Sequence, residues 1–344
     1  MKFSSLSPVA ATAAVALMLT ACSGGTASSP SNTDGKLSIA NVVAGPLGDQ
    51  SMYDSAQRGL DKLKTDGHQT NTLQADANNP TQWKANLESV SVGKWSIVVT
   101  GSSQMTDIVT GSAPKFPNQH YIFYDAVVDA PNVASITYKQ NEGSFLAGVL
   151  AAEATTDKSS FPLSGGSKTV GVIGGVDIPV INDFIAGFKS GVKAVDPSVK
   201  VLTSYVGSFS DSAKGYDQAK SMYDQGADVV FQVAGGSGVG ALQAAKDANK
   251  YAIGVDSNQN AIQKGHVLAS MLKEVGNSLV QAIDAAQKGD LAYGKTTSYG
   301  LKNNGVALTF DNNGGIVPQP VIDKIDQYKQ QVIDGKITVP TAKG

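Results

Sequence analysis

From Lys36 onward, short apolar runs alternate with longer amphipathic stretches, and that rhythm constrains the chain more than any other property of its sequence. Short apolar runs bounded by turn residues read as strands buried on both faces, and longer stretches with apolar residues at helical spacing read as helices covering them. Regular alternation of the two is the βαβ order of parallel sheets. Residues 37–43, 96–100, 121–124 and 133–137 read as strands. Residues 51–65 read as a helix with Ala56, Leu60 and Leu63 on one side, and 141–154 as one with Phe145, Val149 and Ala152 near helical spacing. A second series begins at 169–174 (TVGVIG), with further strands at 199–205, 228–233 and 251–255. Its helices are 181–195, which ends before Asp196-Pro197, then 212–225 and 239–250. Residues 161–168 (FPLSGGSK) read as an exposed loop. A strand at 267–272 leads into a helix at 276–288, more irregular sequence follows, and a final helix lies near 321–334. Two α/β series of similar size predict two lobes.

Ligands of open parallel sheets bind outside the carboxyl ends of the strands, so a cleft between two such lobes would be lined by strand-end loops. Polar and glycine-rich residues fall at those ends: Asp49 and its neighbours, Gly101-Ser102-Ser103, Asp125, Gly174-Gly175, Phe209, Gly235-Gly236 and Asp256. Each alone is an ordinary loop residue. Their convergence on one edge predicts a site.

The N-terminus has another character. Lys2 supplies a charged start, residues 9–19 are rich in Ala, Val and Leu, and the run Leu19-Thr20-Ala21-Cys22 closes on the only cysteine of the 344-residue chain. The segment is short for a membrane span of roughly 20 residues and reads as a secretory signal over 1–21, and the run Leu19-Thr20-Ala21-Cys22 resembles the lipobox of bacterial lipoproteins. A diacylated Cys22 would then anchor the chain to the outer face of a membrane. The run 23–35 (SGGTASSPSNTDG) is Gly, Ser, Thr, Pro and Asn apart from Ala27 and Asp34 and cannot bury a core, so 22–35 is read as the lipidated cysteine with a flexible linker reaching on the order of 20 Å. Charge is nearly balanced, with 27 Lys and Arg against 29 Asp and Glu, and no basic patch points to nucleic acid. No later stretch is long and apolar enough to cross a bilayer.

Four stretches resemble the basic membrane protein family of bacterial lipoproteins, the nucleoside-binding components of ABC transporters. They are 132–148 (NVASITYKQNEGSFLAG), 170–191 (VGVIGGVDIPVINDFIAGFKSG), 205–215 (YVGSFSDSAKG) and 226–273, which contains GADVVFQVAGGSGVG, YAIGVDSNQ and VLASMLK. The likeness runs from about Lys36 to Leu308. It implies an α/β protein of the type I periplasmic-binding-protein fold, two Rossmann-like lobes joined by three crossover strands near 137–141, 268–271 and 298–301. The first lobe would comprise 36–138 with 270–300, and the second 139–269 with 301–344. It further implies a binding protein rather than an enzyme, monomeric, tied to the membrane through its lipid alone, needing no cofactor or metal, and delivering a nucleoside, most readily a purine one, to ABC permease subunits.

A ribose presents neighbouring hydroxyls that an ionised carboxylate accepts in pairs, and a base is flat and apolar on its faces, polar at its edge, so it suits two hydrophobic plates with polar groups at the rim. The resemblance places Asp256 of GVDSNQ and Lys273 of SMLK on the sugar, Asp125 of FYDAVV at a second polar position, and Phe209 of GSFSD as an aromatic plate. Gly235 would let backbone approach the ligand. The first-lobe motif departs from the family's D-x-S-F-N and reads Asp49-Gln50-Ser51-Met52-Tyr53. Met52 replaces the Phe of the opposite plate and can still pack on a ring through its sulfur, while Tyr53 replaces the Asn that reads the base edge. The hydrogen-bond code for the base is thereby changed.

Two other readings have weaker support. Gly236-Ser237-Gly238-Val239-Gly240-Ala241 contains G-x-G-x-x-A after a strand, with Asp256 downstream, as in a dinucleotide site, but an exported protein lacks the cytosolic nicotinamide pool. His68, His120 and His266 are widely spaced in segments read as surface, with no HExxH pattern and no G-x-S-x-G elbow. The closest competitor keeps the fold and changes the output, binding a sugar or signalling ligand for a membrane sensor.

Overall fold

The computed structural model describes residues 35–342. Cys22 and the segment 1–21 lie outside the described residues, as does all of 22–35 except Gly35.

The chain builds its first sheet by repeated βα units. Strand β1 (Ser38–Val42) leads into α1 (Met52–Thr65), β2 (Gln69–Leu73) into α2 (Pro80–Val90), and β3 (Ile97–Gly101) into the short α3 (Thr106–Ser112), followed by β4 (His120–Tyr124) and β5 (Val133–Tyr138). Helix α4 (Gln140–Thr156) opens the second series: β6 (Thr169–Gly174), α5 (Pro179–Val195), β7 (Lys200–Tyr205), α6 (Ser212–Asp224), β8 (Val229–Val233), α7 (Gly236–Asp247), β9 (Tyr251–Asp256) and β10 (Val267–Lys273). The chain then returns to the first unit with α8 (Val275–Lys288) and β11 (Lys295–Tyr299), and crosses again to β12 (Val306–Thr309) and α9 (Gln319–Ile333). Spatial order is β11-β5-β4-β3-β1-β2 in one sheet and β12-β10-β9-β8-β6-β7 in the other. Every pairing is parallel except β10 with β12.

Both sheets are covered on both faces, which is why their central strands read as unbroken apolar runs. In β4, Tyr121 and Phe123 enter one buried cluster while Ile122 and Tyr124 enter another. In the second sheet, Val229 and Phe231 face α4 and α5 while Val230 faces α6 and α7. The chain passes between sheets after Tyr138, after Lys273 and after Tyr299. Strand β10 holds residues 270–273 in the second sheet, where they pair with β9 and β12, so the second crossing follows Lys273.

Helices α4 and α5 cross on facing glycines. A Cβ on Gly191 would stand 1.9 Å from the Phe145 carbonyl oxygen, and one on Gly148 would stand 2.1 Å from that of Phe188. Backbone cannot give way as a flexible side chain would, so Gly191→Ala should destabilise by about 1–3 kcal/mol, the range for overpacking. A thermal melt checks this; an unchanged midpoint would mean that the helices can part without cost.

Residues 161–168, expected as an exposed loop, are partly buried. Phe161 is fully buried edge-on to Tyr251, and the Gly165 and Ser167 amides donate to the Asp228 carboxylate at 2.6 and 3.0 Å. Burial alone would raise the Asp228 pKa, but Lys250, Thr155 and these amides outweigh it and hold the carboxyl down to about 2. His68 also differs from its surface reading: it is buried, and its Nδ1 accepts from the Leu37 amide at 3.1 Å. Burial lowers its pKa, favouring the neutral ring.

Candidate ligand-binding cleft

The carboxyl ends of the strands of both sheets face a single cavity of about 400 Å³, within the range of small-molecule sites. The first sheet contributes the loop after β1, the start of α1, Ser102 after β3 and Asp125 after β4. The second contributes Val176 and Ile178 after β6, Phe209 after β7, Gly235 after β8, Asp256 ending β9 and Lys273 ending β10. Asp49, Met52, Tyr53, Asp125, Phe209, Gly235, Asp256 and Lys273, from six separate stretches of the sequence, all line it.

One end is charged. The Lys273 ammonium is buried 2.6 Å from Asp125 Oδ1, 4.8 Å from the Phe184 ring centroid and 5.7 Å from that of Tyr138, so an ion pair and two aromatic faces offset its desolvation. Asp256 Oδ2 accepts from the Ser51 hydroxyl at 2.5 Å, whereas Oδ1 is buried with no partner. Burial raises the Asp256 pKa; Lys273 and the Ser51 hydroxyl oppose that shift and Asp125 reinforces it. Asp125 and Asp256 both have positive φ, 69° and 62°, a conformation uncommon outside glycine that aims strand-end side chains.

Two aromatic rings line the cavity as well. Tyr53 lies over Gly45, where a Cβ would come within 3.1 Å of its ring, and Phe209 lies over Gly175, where a Cβ would stand 2.3 Å from the ring. Glycine at these positions makes the room in which each ring is seated. Tyr53 comes from the first lobe and Phe209 from the second. Burial pushes the Tyr53 phenol up to about 12, opposed by the Ser102 hydroxyl and reinforced by Asp49 and Asp125, so it is protonated at neutral pH. The Phe209 carbonyl accepts from the Ser237 amide at 3.1 Å, which ties the plate to the start of α7. Gly235, at φ 56° and ψ −134°, makes the turn that permits this.

Asp49 lines the cavity, but its carboxylate serves α1. Oδ1 accepts the Ser51 and Asp54 amides at 2.9 and 3.1 Å, and Oδ2 accepts the Tyr53 amide at 3.0 Å. These are the otherwise unpaired donors of a helix N-terminus, so Asp49 fixes where Met52 and Tyr53 stand.

The two lobes also meet beside the cavity. Gln259 donates to the Gln50 carbonyl at 2.8 Å, the Ser257 hydroxyl donates to the Ser51 carbonyl at 2.8 Å, and the Arg58 guanidinium donates to Ser257 Oγ at 2.7 Å. Sequence reasoning did not select Arg58, Ser257 or Gln259, nor Phe184, whose spacing in α5 is that of an ordinary core position. Ser102 stood among the strand-end residues but was given no role.

The G-x-G-x-x-A segment is occupied by packing. A Cβ on Gly238 would stand 1.7 Å from Gln232 Oε1 and one on Gly240 1.8 Å from the Ser212 carbonyl oxygen. Two of its glycines therefore admit neighbouring protein, where a dinucleotide site needs room for a pyrophosphate. Among the described residues, no cluster of three or more His, Cys, Asp or Glu is placed to hold a metal ion, and no helix is long and apolar enough to cross a membrane.

Two six-stranded α/β units, joined by three crossings with a cavity between their strand ends, define the periplasmic-binding-protein-like fold of ABC solute-binding proteins. The same fold is seen in the solute-binding protein of an ABC transporter system from Aeropyrum pernix K1, with a TM-score of 0.80 at 24% identity over 90% of this chain and 94% of that one. A counterpart from Conexibacter woesei has a TM-score of 0.70 at 21% identity over 89% and 99%. The chain belongs to the Bmp family of PnrA-like ABC transporter substrate-binding proteins, whose profile matches residues 36–343. It is 33% identical to the ABC transporter nucleoside-binding protein BmpA of Lactococcus lactis subsp. cremoris, over 90% of each chain. It is 32% identical to a CD4+ T-cell-stimulating antigen of Listeria monocytogenes, over 86% of this chain and 85% of that one.

Proposed function

We propose that this protein captures a nucleoside between its lobes, outside the cell membrane to which Cys22 anchors it, and delivers it to an ABC permease without chemical change. The observation that carries the reading is Asp256: one carboxylate oxygen is held by Ser51, and the other is buried and unpartnered at the cavity wall. A buried ionised oxygen without a donor costs free energy. A ribose diol supplies donors to it, and Lys273, on the neighbouring strand, can serve a ribose oxygen. Tyr53 and Phe209 give apolar faces for a base, and Met52 adds a polarizable one. The charged and aromatic ends together fit a ligand that is half sugar and half heterocycle.

Closure supplies the output. A ligand that touches both lobes binds the closed form more tightly than the open one and shifts the population toward it. The seam among Gln50, Ser51, Arg58, Ser257 and Gln259 would form as the lobes meet. That closed surface is what a permease would recognise.

A thermal-shift screen of the protein from Ser23 onward, unfolded and refolded to strip carried ligand, tests the class. Nucleosides at a hundred times their dissociation constant should add about 2.7 kcal/mol, while free bases and ribose should shift the midpoint little. A response to sugars alone would replace the nucleoside with a sugar. For the anchor, Cys22→Ser should move the expressed protein from the membrane fraction to the soluble one; retention on the membrane would remove the lipid from the account.

A further inference from the structure

Ser102 has a backbone that serine rarely takes. It follows the last residue of β3 with φ 78° and ψ 150°, a region populated almost only by glycine because a Cβ crowds the backbone there. Its amide donates to the Tyr124 carbonyl at 3.0 Å and its carbonyl accepts the Met105 amide at 3.1 Å, so the conformation is pinned from both sides. The residue is 6% exposed, and its buried hydroxyl oxygen, though near enough to the Tyr53 phenol to oppose the rise in its pKa, makes no hydrogen bond of good geometry. It lines the cleft. A glycine would satisfy the backbone without strain, and serine adds a single thing, a hydroxyl at the cavity wall.

Strand order places that hydroxyl. Strand β3, which Ser102 follows, lies between β4, which leads to Asp125 and its partner Lys273, and β1, which leads to Gly45 under the Tyr53 ring. If the sugar sits at Asp256 and Lys273 and the base on the Tyr53 face, as proposed above, the edge of the base comes within reach of Ser102.

We infer that Ser102, beside the Tyr53 phenol, hydrogen-bonds the heterocyclic edge of the bound nucleoside and is a specificity-determining residue of the cleft. A hydroxyl both donates and accepts, so it can meet a ring nitrogen, a carbonyl oxygen or an exocyclic amine. With Tyr53 also carrying a hydroxyl, the edge is read by two rotatable groups. This inference rests on the nucleoside reading of the site.

Calorimetric titration of wild type, Ser102→Ala and Ser102→Gly with adenosine, inosine, cytidine and uridine tests it, together with melts of the ligand-free proteins. Both variants should bind the preferred nucleoside about tenfold more weakly, the loss of roughly one good hydrogen bond, and the ranking of the four bases should compress. Ser102→Gly should also melt higher than wild type when ligand-free, because the strain is relieved, so its weaker binding cannot come from poorer folding. Ser102→Ala that binds and ranks nucleosides as wild type does would overturn the role of Ser102 while leaving the nucleoside reading intact. A wild type that binds none of the four would overturn both.

Discussion

Asp256→Asn is expected to weaken nucleoside binding roughly ten- to hundredfold while leaving the ligand-free protein at least as stable as wild type. The first effect follows from replacing an ionised acceptor by a neutral one, about 1.5–3 kcal/mol for a hydrogen bond to a charged group. The second follows from linkage. Burial raises the Asp256 pKa above that of an unfolded carboxyl, about 3.9, so between these two pKa values the folded state binds the proton more readily. Stability contributed by this group therefore rises as pH falls through the folded pKa and is lost as pH rises. Above the folded pKa the ionised, half-satisfied carboxylate opposes folding, and the neutral amide removes that cost. Ligand affinity in the wild type should fall with acidification over the same window, because the acceptor becomes protonated. Calorimetry and melts across that window read both effects. An Asn variant with undiminished affinity would remove Asp256 from the site, and one that melts well below wild type would mean that the carboxylate supports the fold.

Lys273→Met should give the largest loss of stability. Its ammonium is buried 2.6 Å from Asp125, and removing one partner of a buried ion pair typically costs about 3–5 kcal/mol because the other charge is stranded. Here the loss also removes the cation that stabilises ionised Asp256. The double variant Lys273→Met with Asp125→Asn should recover much of the stability, since it strands no charge at that pair, but should not recover binding. Urea melts and ligand titrations of wild type and the two variants separate the roles. Recovery of full affinity in the double variant would show that the pair is structural only.

The central strands were legible because both sheet faces are covered, so each wrote a continuous apolar run. The edges were not. Strand β2 (QTNTL) and strand β11 (KTTSY) lie at the margins of the first sheet with much of their surface exposed, and carry no run to detect. Helix α2 was missed although its start was marked by Asn79, whose side chain accepts from the Gln82 amide, and by Pro80 at the first position. Only Trp83, Leu87 and Val90 are buried on it, too thin a stripe to stand out. Loop 161–168 is exposed at 165–168 as read, but Phe161 and Ser164 are buried and the Gly165 and Ser167 amides serve a buried carboxylate distant in sequence.

In the cleft, strand-end position found the residues but not their duties. Asp49 was selected as a polar ligand residue, and its oxygens are taken by three amides of α1. Sequence spacing cannot show whether a carboxylate faces a helix end or a cavity. Ser102 shows the converse, since only its dihedral angles and its empty hydrogen-bond capacity separate it from an ordinary loop serine.

The most direct measurement is a calorimetric titration of the ligand-stripped protein with a nucleoside, its free base and ribose. Saturable binding of one nucleoside per chain, with neither fragment binding measurably, is the predicted result, since each half of the ligand engages only one end of the cleft. Binding of ribose or base as tight as that of the nucleoside, or no binding of any nucleoside, would contradict it.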